Sequence, residues 1–544
     1  MSDQWWGHAV LYQVYLRSFA DGNGDGYGDL AGLRSRLGHI RDLGADAIWV
    51  SPWFPSPMRD GGYDVADYQG IDPMFGTLDD AARLIADAHS AGLRVLLDIV
   101  PNHTSDRHPW FLEALEAAEG SAARQRYYFR DGKGPGGSLP PNDWPSAFGG
   151  PAWSRTTGPD GRPGQWYLHL FAPEQPDLNW SCSEVRADFE KVFRFWCDLG
   201  VDGFRLDAVP AIGKDARLPP AGIEFNDVFS PSGWPETPLW DGDTVHEVLR
   251  RWRDVARSYK PEKALFGEVI VNGPERLARY LRDDELHSVF AFELSRAPWS
   301  APAFHAAIEG ILDGPWPGRA RPTWFLSSHD EVRPVTRYAP GTAGTSTASS
   351  PVRDLALGQA RARAALLLML ALPGPACIYQ GEELGLWQVE DLPLELLQDP
   401  IVARTGDARK SRDGCRVPLP WDAGAPTYGF STSGPSWLPQ PPAWASLTAA
   451  SQRRTPGSTF RLTKRAVELR RELPELAGTG FEWQQLGAGV LAFRRGPRFA
   501  CLTNFDAAPL ELPGRARVLL ASGPLSEEGH LPPGTTVWLA CPPG

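Results

Sequence analysis

The sequence has few cysteines, no long apolar run and no excess of positive charge. Its six cysteines are widely spaced and form no CxxC motif, which argues against a zinc knuckle or a dense set of disulfides. The longest apolar stretch, around 364–372, is much shorter than the roughly 20 residues that cross a bilayer. A net charge of −12 disfavours nucleic-acid binding, because such binding depends on neutralising phosphates. We therefore expect neither a membrane partner nor a nucleic-acid partner.

The amino terminus also lacks the pattern of a secretory signal. MSDQWWGHAV has no basic segment followed by an apolar one, so we expect a cytoplasmic protein. With 544 residues the chain is too long for one ordinary core and should form several packed units. Hydrophobic residues at 42% and charged residues at 22% are typical of folded domains, but they do not indicate an oligomeric state.

Short apolar runs that end in polar residues recur along the first two thirds of the chain, with helical patterns between them. Two amphipathic helices are predicted at 78–91 and 184–199, with Gly92 and Gly200 placed as stops. Eight such βα units predict an α/β fold with a closed parallel (β/α)8 TIM barrel. The predicted strands are 10–19, 47–51, 95–100, 203–207, 264–269, 288–292, 323–328 and 376–380.

Two connections are too long for ordinary barrel loops and predict insertions on the rim. The third strand is followed by a segment rich in Gly, Pro and Trp, and the eighth by a second long segment. Near the end, short alternating strands separated by Pro and Gly predict a small antiparallel β-sandwich. The predicted units are barrel at 1–103, an inserted domain at 104–172, barrel at 173–475 with an insertion at about 383–428, and the β-sandwich domain at 476–544.

Three carboxylates follow the predicted strands four, five and seven. Because TIM-barrel active sites lie at the carboxyl ends of the strands, we expect Asp207, Glu268 and Asp330 to meet at one mouth. Alternation along the strand puts Arg205 on the same side as Asp207, where it would keep that acid ionised. Glu268 lies in the apolar segment LFGEV, which suits a protonated carboxyl. One ionised and one protonated carboxyl are what retaining glycoside hydrolysis needs.

Four segments around these residues resemble the α-amylase superfamily, glycoside hydrolase family 13. They occur in the family's order along the chain and read DIVPNH, GFRLD, FGE and FLSSHD. The resemblance implies that Asp207 is the nucleophile, Glu268 the general acid/base and Asp330 the carboxylate that clamps sugar hydroxyls. Further residues that it places in the same subsite are His103, Arg205 and His329.

Two more segments narrow the resemblance to one group of the family. QPDLNW and the opening stretch WWGHAVLYQVYLRSF are similar to segments of the oligo-1,6-glucosidases and α-glucosidases, which implies exo-acting cleavage of a small oligosaccharide. Asp60, Tyr63 and Arg416 match residues that close the glucose pocket, where an Asp–Arg pair holds the terminal hydroxyls. Phe148 and Phe171 match aromatic residues of the inserted domain that border the site, although packing inside that domain is an equally good interpretation.

Ala208 lies directly after the expected nucleophile, at a position that is related to which glycosidic linkage the enzyme cleaves. Within the group, Val at this position accompanies α-1,6 cleavage, and a smaller or hydroxylated residue accompanies α-1,4 preference. We therefore expect a retaining α-glucosidase for maltose and short malto-oligosaccharides, with transglucosylation because sugar hydroxyls compete with water. The alternatives are a trehalose synthase or a sucrose-active glucosyltransferase on the same scaffold, and a catalytically inactive carbohydrate-binding or accessory protein.

An oxygen-rich loop follows the first predicted strand. Its donors alternate with glycines and suit a hard divalent cation, but the twelfth position is Gly32 rather than Glu, so the loop is no EF-hand. The segment GYGDLA also fits a dinucleotide motif, although the neighbouring aspartates would repel a pyrophosphate. The loop is similar to the single-ion loop of the oligo-1,6-glucosidase group, which implies structural Ca²⁺. The implied ligands are Asp21, Asn23, Asp25, the carbonyl of Tyr27, and Asp29.

Overall fold

The structure is a computed structural model of the chain. It describes residues 4–158, 161–223, 237–317, 320–342, 352–434, 436–514 and 516–542.

Eight parallel strands, numbered β1 to β8 in chain order, close into a barrel. Each strand pairs with its neighbours in sequence, and β1 closes the barrel on β8, with Val10 opposite Ala376. The predicted TIM barrel is confirmed, and all eight strands end one to five residues earlier than predicted, because residues such as Ser51, Asp207 and Gln380 already belong to the loops at the mouth. The strands are Val10–Val14, Ala47–Val50, Arg94–Ile99, Gly203–Leu206, Ala264–Gly267, Ser288–Ala291, Thr323–Phe325 and Ala376–Tyr379.

Helices surround the barrel, and the two predicted ones begin and end within one residue of their predicted bounds. Helix Leu78–Ser90 starts at Thr77, whose side chain accepts the Asp80 N–H in a capping box. Helix Ser183–Leu199 ends at Gly200, whose φ of 117° is left-handed and suits glycine. The other helices of the barrel layer are Leu30–Leu43, Thr244–Arg257, Pro274–Arg279, Phe292–Arg296, Ala301–Leu312, Pro334–Tyr338 and Leu355–Ala371.

The barrel interior changes from apolar to charged towards the carboxyl ends of the strands. Trp49, Leu96 and Phe266 belong to the apolar layer that fills the barrel. Two residues further along the same strands, where the side chain again points inward, stand Asp98 and Glu268. Strand alternation therefore brings charged groups to the mouth directly above a packed core.

The two predicted insertions both lie on the carboxyl-terminal rim. After β3 come helices Pro109–Glu116 and Ala122–Gln125 and a three-stranded antiparallel sheet. Short helical turns, including Pro400–Thr405 and Asp413–Cys415, follow β8. The strands of the inserted sheet are Phe129–Arg130, Pro163–Leu168 and Trp153–Thr157, in that spatial order.

The carboxyl-terminal strands are antiparallel, as predicted. Within the described residues they form one five-stranded sheet, and the layer packed on it is helix Leu355–Ala371 rather than a second sheet. Trp538 Nε1 donates to the Leu367 carbonyl of that helix at 3.0 Å. The strands are Glu482–Gln484, Val490–Arg495, Phe499–Asn504, Arg517–Ala521 and Thr535–Ala540, and helices Ala449–Arg454, Thr459–Glu472 and Pro474–Ala477 precede them. No helix in the described ranges combines the length and apolarity that a membrane span requires.

Candidate active site

A cavity of about 550 Å³ opens at the carboxyl ends of the barrel strands. Ten of the twelve residues expected to be catalytic or substrate-binding line it, and the other two, Arg205 and Arg416, lie behind its wall. The lining residues are Asp60, Tyr63, His103, Phe148, Phe171, Asp207, Ala208, Trp240, Glu268, Ile270, His329, Asp330 and Arg412.

Arg205 joins three carboxylates beneath the cavity. Its Nη1 donates to Asp98 Oδ1 at 2.9 Å and to Asp207 Oδ1 at 2.7 Å, and its Nη2 donates to Glu268 Oε2 at 2.8 Å. Tyr63 Oη donates to Asp98 Oδ2 at 2.9 Å, which fixes Asp98 from the other side. The guanidinium therefore holds Asp207 and Glu268 in a defined relation to each other.

The pKa of Asp207 lies well above its ordinary value. Burial is the largest cause, Glu268 and Asp98 add to it, and Arg205 opposes it. Burial also raises the pKa of Asp98 to about 6. Arg205 lowers the pKa of Asp207, but burial outweighs this effect, and the guanidinium is shared with Asp98 and Glu268. Asp207 and Asp98 therefore hold a proton more readily than free carboxyls do. That Asp207 is ionised in the working enzyme stays a prediction.

Glu268 is also held by the backbone of the residue after Asp207. The Ala208 N–H donates to Glu268 Oε2 at 3.0 Å. Ala208 has a φ of 41°, a left-handed conformation that is uncommon for a residue other than glycine. Asp207 directly precedes Ala208, so this hydrogen bond links the two expected catalytic acids through the main chain.

Asp330 stands in a strongly positive environment. Burial alone would raise the pKa of Asp330, but His329, Arg412 and Arg416 outweigh it and hold that pKa well below its ordinary value. Nη1 of Arg412 and Nη2 of Arg416 both lie 2.9 Å from Asp330 Oδ1. Asp330 is therefore a fixed anionic acceptor for hydroxyl groups.

The arginine that pairs with Asp60 is Arg412, which corrects the expected Asp60–Arg416 pair. Nη2 of Arg412 lies 2.8 Å from Asp60 Oδ1. Arg416 instead donates through Nε to the His329 carbonyl at 2.9 Å and binds Asp330. The chain turns through Asp413–Cys415 between the two arginines, which puts Arg412 in the cavity wall and Arg416 behind it.

The two histidines of the cavity are neutral and tightly positioned. Burial lowers the pKa of His103 and of His329 to about 3 each. The ring of His329 lies between those of Tyr15 and Tyr63, at centroid distances of 5.7 and 5.0 Å and nearly parallel to both. Gln13 Nε2 donates to His329 Nδ1 at 2.7 Å, so His329 Nε2 carries the proton towards Asp330. His103 Nε2 lies 2.9 Å from the Tyr63 carbonyl oxygen, and His329 Nε2 lies 3.1 Å from Asp330 Oδ2, so both rings are held in place by protein partners.

The two expected aromatic residues of the inserted domain do reach the cavity. The rings of Phe148 and Phe171 meet edge to face at a centroid distance of 5.6 Å, and the Arg412 guanidinium lies 5.1 Å above the Phe148 ring. Phe148 is buried and Phe171 half-buried. Their placement is compatible with both interpretations, because they pack against each other and also border the site.

A buried lysine links the segments that follow β3 and β4 behind His103. Lys214 Nζ lies 3.0 Å from Asp177 Oδ2 and 2.5 Å from Asn102 Oδ1. The side chains of Lys214 and Asp177 are fully buried. Asn102 Nδ2 also contacts His103 Nδ1 at 3.1 Å, so this ion pair supports a residue of the cavity.

Four residues of the site were missed or set aside by reasoning from the sequence alone. Arg412 is one of several arginines in RKSRDGCR, and spacing alone does not distinguish it from Arg416. Trp240 lies on the long connection between β4 and helix Thr244–Arg257. The length of that connection was the feature of the sequence that could have indicated a contribution to the site. Ile270 carries no chemical signature. Asp98, in the segment DIVPNH, is a direct partner of Arg205, which its position along the strand does not reveal.

The expected metal loop is a series of tight turns. Asp21 Oδ1 accepts the Asn23 N–H, Asn23 Oδ1 accepts the Asp25 N–H, and Asp25 Oδ1 accepts the Tyr27 N–H. Asp29 caps helix Leu30–Leu43 by accepting the Gly32 N–H. Across the described parts of the chain, no group of three or more His, Cys, Asp or Glu side chains is close enough to hold a metal ion. The all-oxygen donor set fits a hard cation such as Ca²⁺, with the amide of Asn23 and the carbonyl of Tyr27 completing it.

Comparison with known proteins gives matches along nearly the whole chain. The family described as "Alpha amylase, catalytic domain" matches residues 13–478. A "Probable alpha-glucosidase" of Rhizobium meliloti is 40% identical over 530 residues, covering 94% of this chain and 91% of the relative. The crystal structure of an α-glucosyl transfer enzyme has a TM-score of 0.85 at 35% identity and covers 99% of each chain. The trehalulose synthase of Pseudomonas mesoacidophila MX-45 also reaches 0.85, at 30% identity, over 99% of this chain and 100% of its own.

Proposed function

The chain belongs to the α-amylase family, glycoside hydrolase family 13, as a retaining α-glucosidase, and we propose that its substrates are maltose and short malto-oligosaccharides. It releases the terminal α-glucose and prefers α-1,4 bonds. The observation that carries this proposal is the single cavity in which Asp60 and Arg412 stand together with Asp207, Glu268 and Asp330. Five charged groups around one small pocket suit the recognition of one sugar ring by its hydroxyls.

In the first step, Asp207 attacks the anomeric carbon as the glycosidic bond breaks. An ester bond forms between Asp207 and glucose, and the proton of Glu268 moves to the leaving oxygen. Arg205 holds both acids, and Asp330 accepts hydrogen bonds from hydroxyls of the distorted ring. In the second step, water attacks the anomeric carbon, Glu268 takes the proton of that water, and the ester to Asp207 breaks with overall retention.

The coupled acids supply the proton that this cycle needs. Asp98, Asp207 and Glu268 share one guanidinium, and their repulsion makes complete ionisation unfavourable. Substrate places its leaving oxygen beside Glu268, and the retained proton is used there. Asp207 then reacts as the carboxylate, with Arg205 stabilising its charge. Asp207 and Glu268 therefore act as the base and the acid of one catalytic cycle.

Linkage preference rests on the small residue after Asp207. Ala208 borders the cavity and contacts Glu268 through its N–H. Its methyl group leaves room beside the acid that protonates the leaving oxygen, in agreement with the α-1,4 preference expected from the family.

Glucosyl transfer is the second candidate, and one observation favours it. The similar solved structures include an α-glucosyl transfer enzyme and a trehalulose synthase at 35% and 30% identity. The same covalent intermediate serves hydrolysis and transfer, and the acceptor decides the product. We propose that transfer to sugar hydroxyls accompanies hydrolysis at high substrate concentration.

Incubation with maltose and chromatographic separation of the products tests the proposed substrate. We expect glucose as the main product, with small glucosylated oligosaccharides at high maltose, and slower turnover of isomaltose, trehalose and sucrose. The rate of maltotetraose cleavage is measured alongside the rates for these disaccharides. Trehalose as the main product of maltose, or isomerised sucrose formed faster than maltose is cleaved, would contradict the proposal.

The loop of Asp21, Asn23, Asp25, Tyr27 and Asp29 holds Ca²⁺ in the proposed enzyme. Calcium binding is common in this family, and the loop offers hard oxygen donors in tight turns. The ion is structural, since the loop supports the start of helix Leu30–Leu43 rather than the cavity.

Removal of calcium is therefore expected to lower stability more than activity at low temperature. A ligand present at one hundred times its Kd stabilises a protein by about 2.7 kcal/mol, so EDTA should lower Tm by several degrees and added Ca²⁺ should restore it. Asp21→Asn should abolish this response, whereas Asp254→Asn, on an exposed helix position, should retain it. An unchanged Tm after chelation, measured by differential scanning fluorimetry, would show that the loop holds no stabilising Ca²⁺.

A further inference from the structure

A second large cavity opens at the opposite end of the barrel, where the strands begin. It has a volume of about 1350 Å³ and lies among the residues that precede β1, β6, β7 and β8. His8 comes two residues before β1, His287 directly before β6, Arg321 two residues before β7 and Gly374 two residues before β8. The proposed hydrolysis, which takes place at the carboxyl ends of the strands, makes no use of this cavity.

The wall of this lower cavity is rich in arginine. Arg253, Arg282 and Arg321 line it, and Asp283 is the single acidic residue among its described lining residues. Arg253 is paired, with its Nε 2.8 Å from Glu262 Oε1. Arg282 is only loosely paired, with Nη1 3.5 Å from Glu285 Oε1, and its side chain is 46% exposed. A concentration of positive charge is notable in a chain with a net charge of −12.

Two further arginines stand behind the wall. Arg470 donates to the carbonyls of Leu370, Leu372 and Gly374, and in the described chain no carboxylate lies within ion-pair distance of it. Arg495 likewise donates to carbonyls, including that of Gly478. Gly374 and Gly478 both line the cavity, so each buried guanidinium binds the carbonyl of a residue in its wall.

Carbonyl dipoles stabilise a guanidinium without cancelling its charge. Burial lowers the pKa of Arg470 to about 10, and burial together with Arg470 lowers that of Arg495 to about 9. Their field reaches the cavity, because burial and then these two arginines lower the pKa of His8 in its wall. The described lining of the lower cavity therefore holds three arginines and one acidic residue, with two more buried arginines behind it.

We propose that the lower cavity binds a phosphate group, either as inorganic phosphate or as part of a small phosphorylated sugar. Guanidinium groups bind phosphate through paired N–H donors, and a dianion offsets more of the surplus charge than a single carboxylate does. Arg282 and Arg321 approach from different segments of the wall, and Gln4 and Thr479 add polar groups beside them. The volume also leaves room for a sugar attached to the phosphate.

Isothermal titration of the full chain at physiological salt tests this proposal, with inorganic phosphate and glucose 6-phosphate as probes and glucose as the uncharged comparison. We expect one site per chain for at least one phosphate probe and none for glucose in the presence of an active-site inhibitor. Arg282→Gln and Arg321→Gln should each weaken phosphate binding at least about tenfold, the loss expected for one charge-assisted hydrogen bond. Arg279→Gln, outside the cavity lining, should bind like the wild type.

Comparison of the two phosphate probes shows whether the lower cavity binds inorganic phosphate or a phosphorylated sugar. Equal affinities identify inorganic phosphate, and tighter binding of glucose 6-phosphate identifies the phosphorylated sugar. Maltose turnover by Arg282→Gln should equal that of the wild type, which separates this site from the proposed catalytic function. Absence of phosphate binding at physiological salt, or binding unaffected by both arginine variants, would overturn the proposal.

Discussion

Asp207→Asn is expected to lower kcat on maltose and on p-nitrophenyl α-glucoside by at least about 10⁴-fold, as removal of a catalytic nucleophile typically does. The amide keeps the shape of the side chain and a hydrogen-bonding oxygen for Arg205, but it cannot form the glucosyl ester. Steady-state rates of the purified variant measure the loss, and circular dichroism reports whether the fold is intact. A variant that keeps comparable turnover would refute the assignment of the nucleophile.

Two matched variants sharpen this result. Asp67→Asn, at an exposed position outside the cavity lining, should change kcat less than about twofold, as is usual for surface substitutions. Glu268→Gln should lose maltose hydrolysis almost completely but form the glucosyl intermediate from p-nitrophenyl α-glucoside far better, because nitrophenolate leaves without a proton. A nitrophenolate burst slowed as much as maltose cleavage would contradict the role of Glu268 as the acid.

Lys214→Ala is expected to be the most destabilising single substitution near the site. Removing one partner of a buried ion pair costs about 3–5 kcal/mol, because the other charge stays buried without compensation. Burial already raises the pKa of Asp177, and Lys214 is the main group that opposes it. The loss should appear in urea unfolding midpoints, and kcat/KM should fall as well, since Asn102 contacts both Lys214 and His103.

The control for Lys214→Ala is Lys191→Ala. Lys191 pairs with Asp188 at 3.0 Å on an exposed helix face, where its side chain is 70% exposed. Such pairs contribute about 0–1 kcal/mol, so this variant should unfold like the wild type. Adding Asp177→Asn to Lys214→Ala should recover part of the stability, because it removes the unpaired charge. Similar midpoints for Lys214→Ala and Lys191→Ala would show that the buried pair does not stabilise the fold.

The barrel and most of the site were predictable because they follow from local patterns. Alternation within short strands placed Arg205, Asp207 and Glu268 on one side of the sheet, and the order of the strands then brought them to one mouth. The glycine that ends helix Ser183–Leu199 and the cap of helix Leu78–Ser90 are also local signals. The layer behind the carboxyl-terminal sheet was not predictable in this way, since it is a helix more than a hundred residues earlier in the chain.

What the sequence did not reveal depends on shared partners and loop paths. The raised pKa of Asp207 was not predictable, because a list of neighbours along one strand shows neither its burial nor the sharing of Arg205 with Asp98 and Glu268. Arg412 rather than Arg416 meets Asp60 because of the turn between the two arginines. Both features depend on long-range contacts, which follow from tertiary packing and not from local pattern.

The most direct test of the account is to trap the covalent intermediate. A 5-fluoro-α-glucosyl fluoride should react in the first step and hydrolyse slowly in the second, and peptide mass spectrometry then locates the ester. The account predicts one glucosyl group per chain, attached to Asp207, and none in Asp207→Asn. Labelling of Glu268 or Asp330 instead, or complete absence of an adduct together with release of β-glucose from maltose, would contradict it.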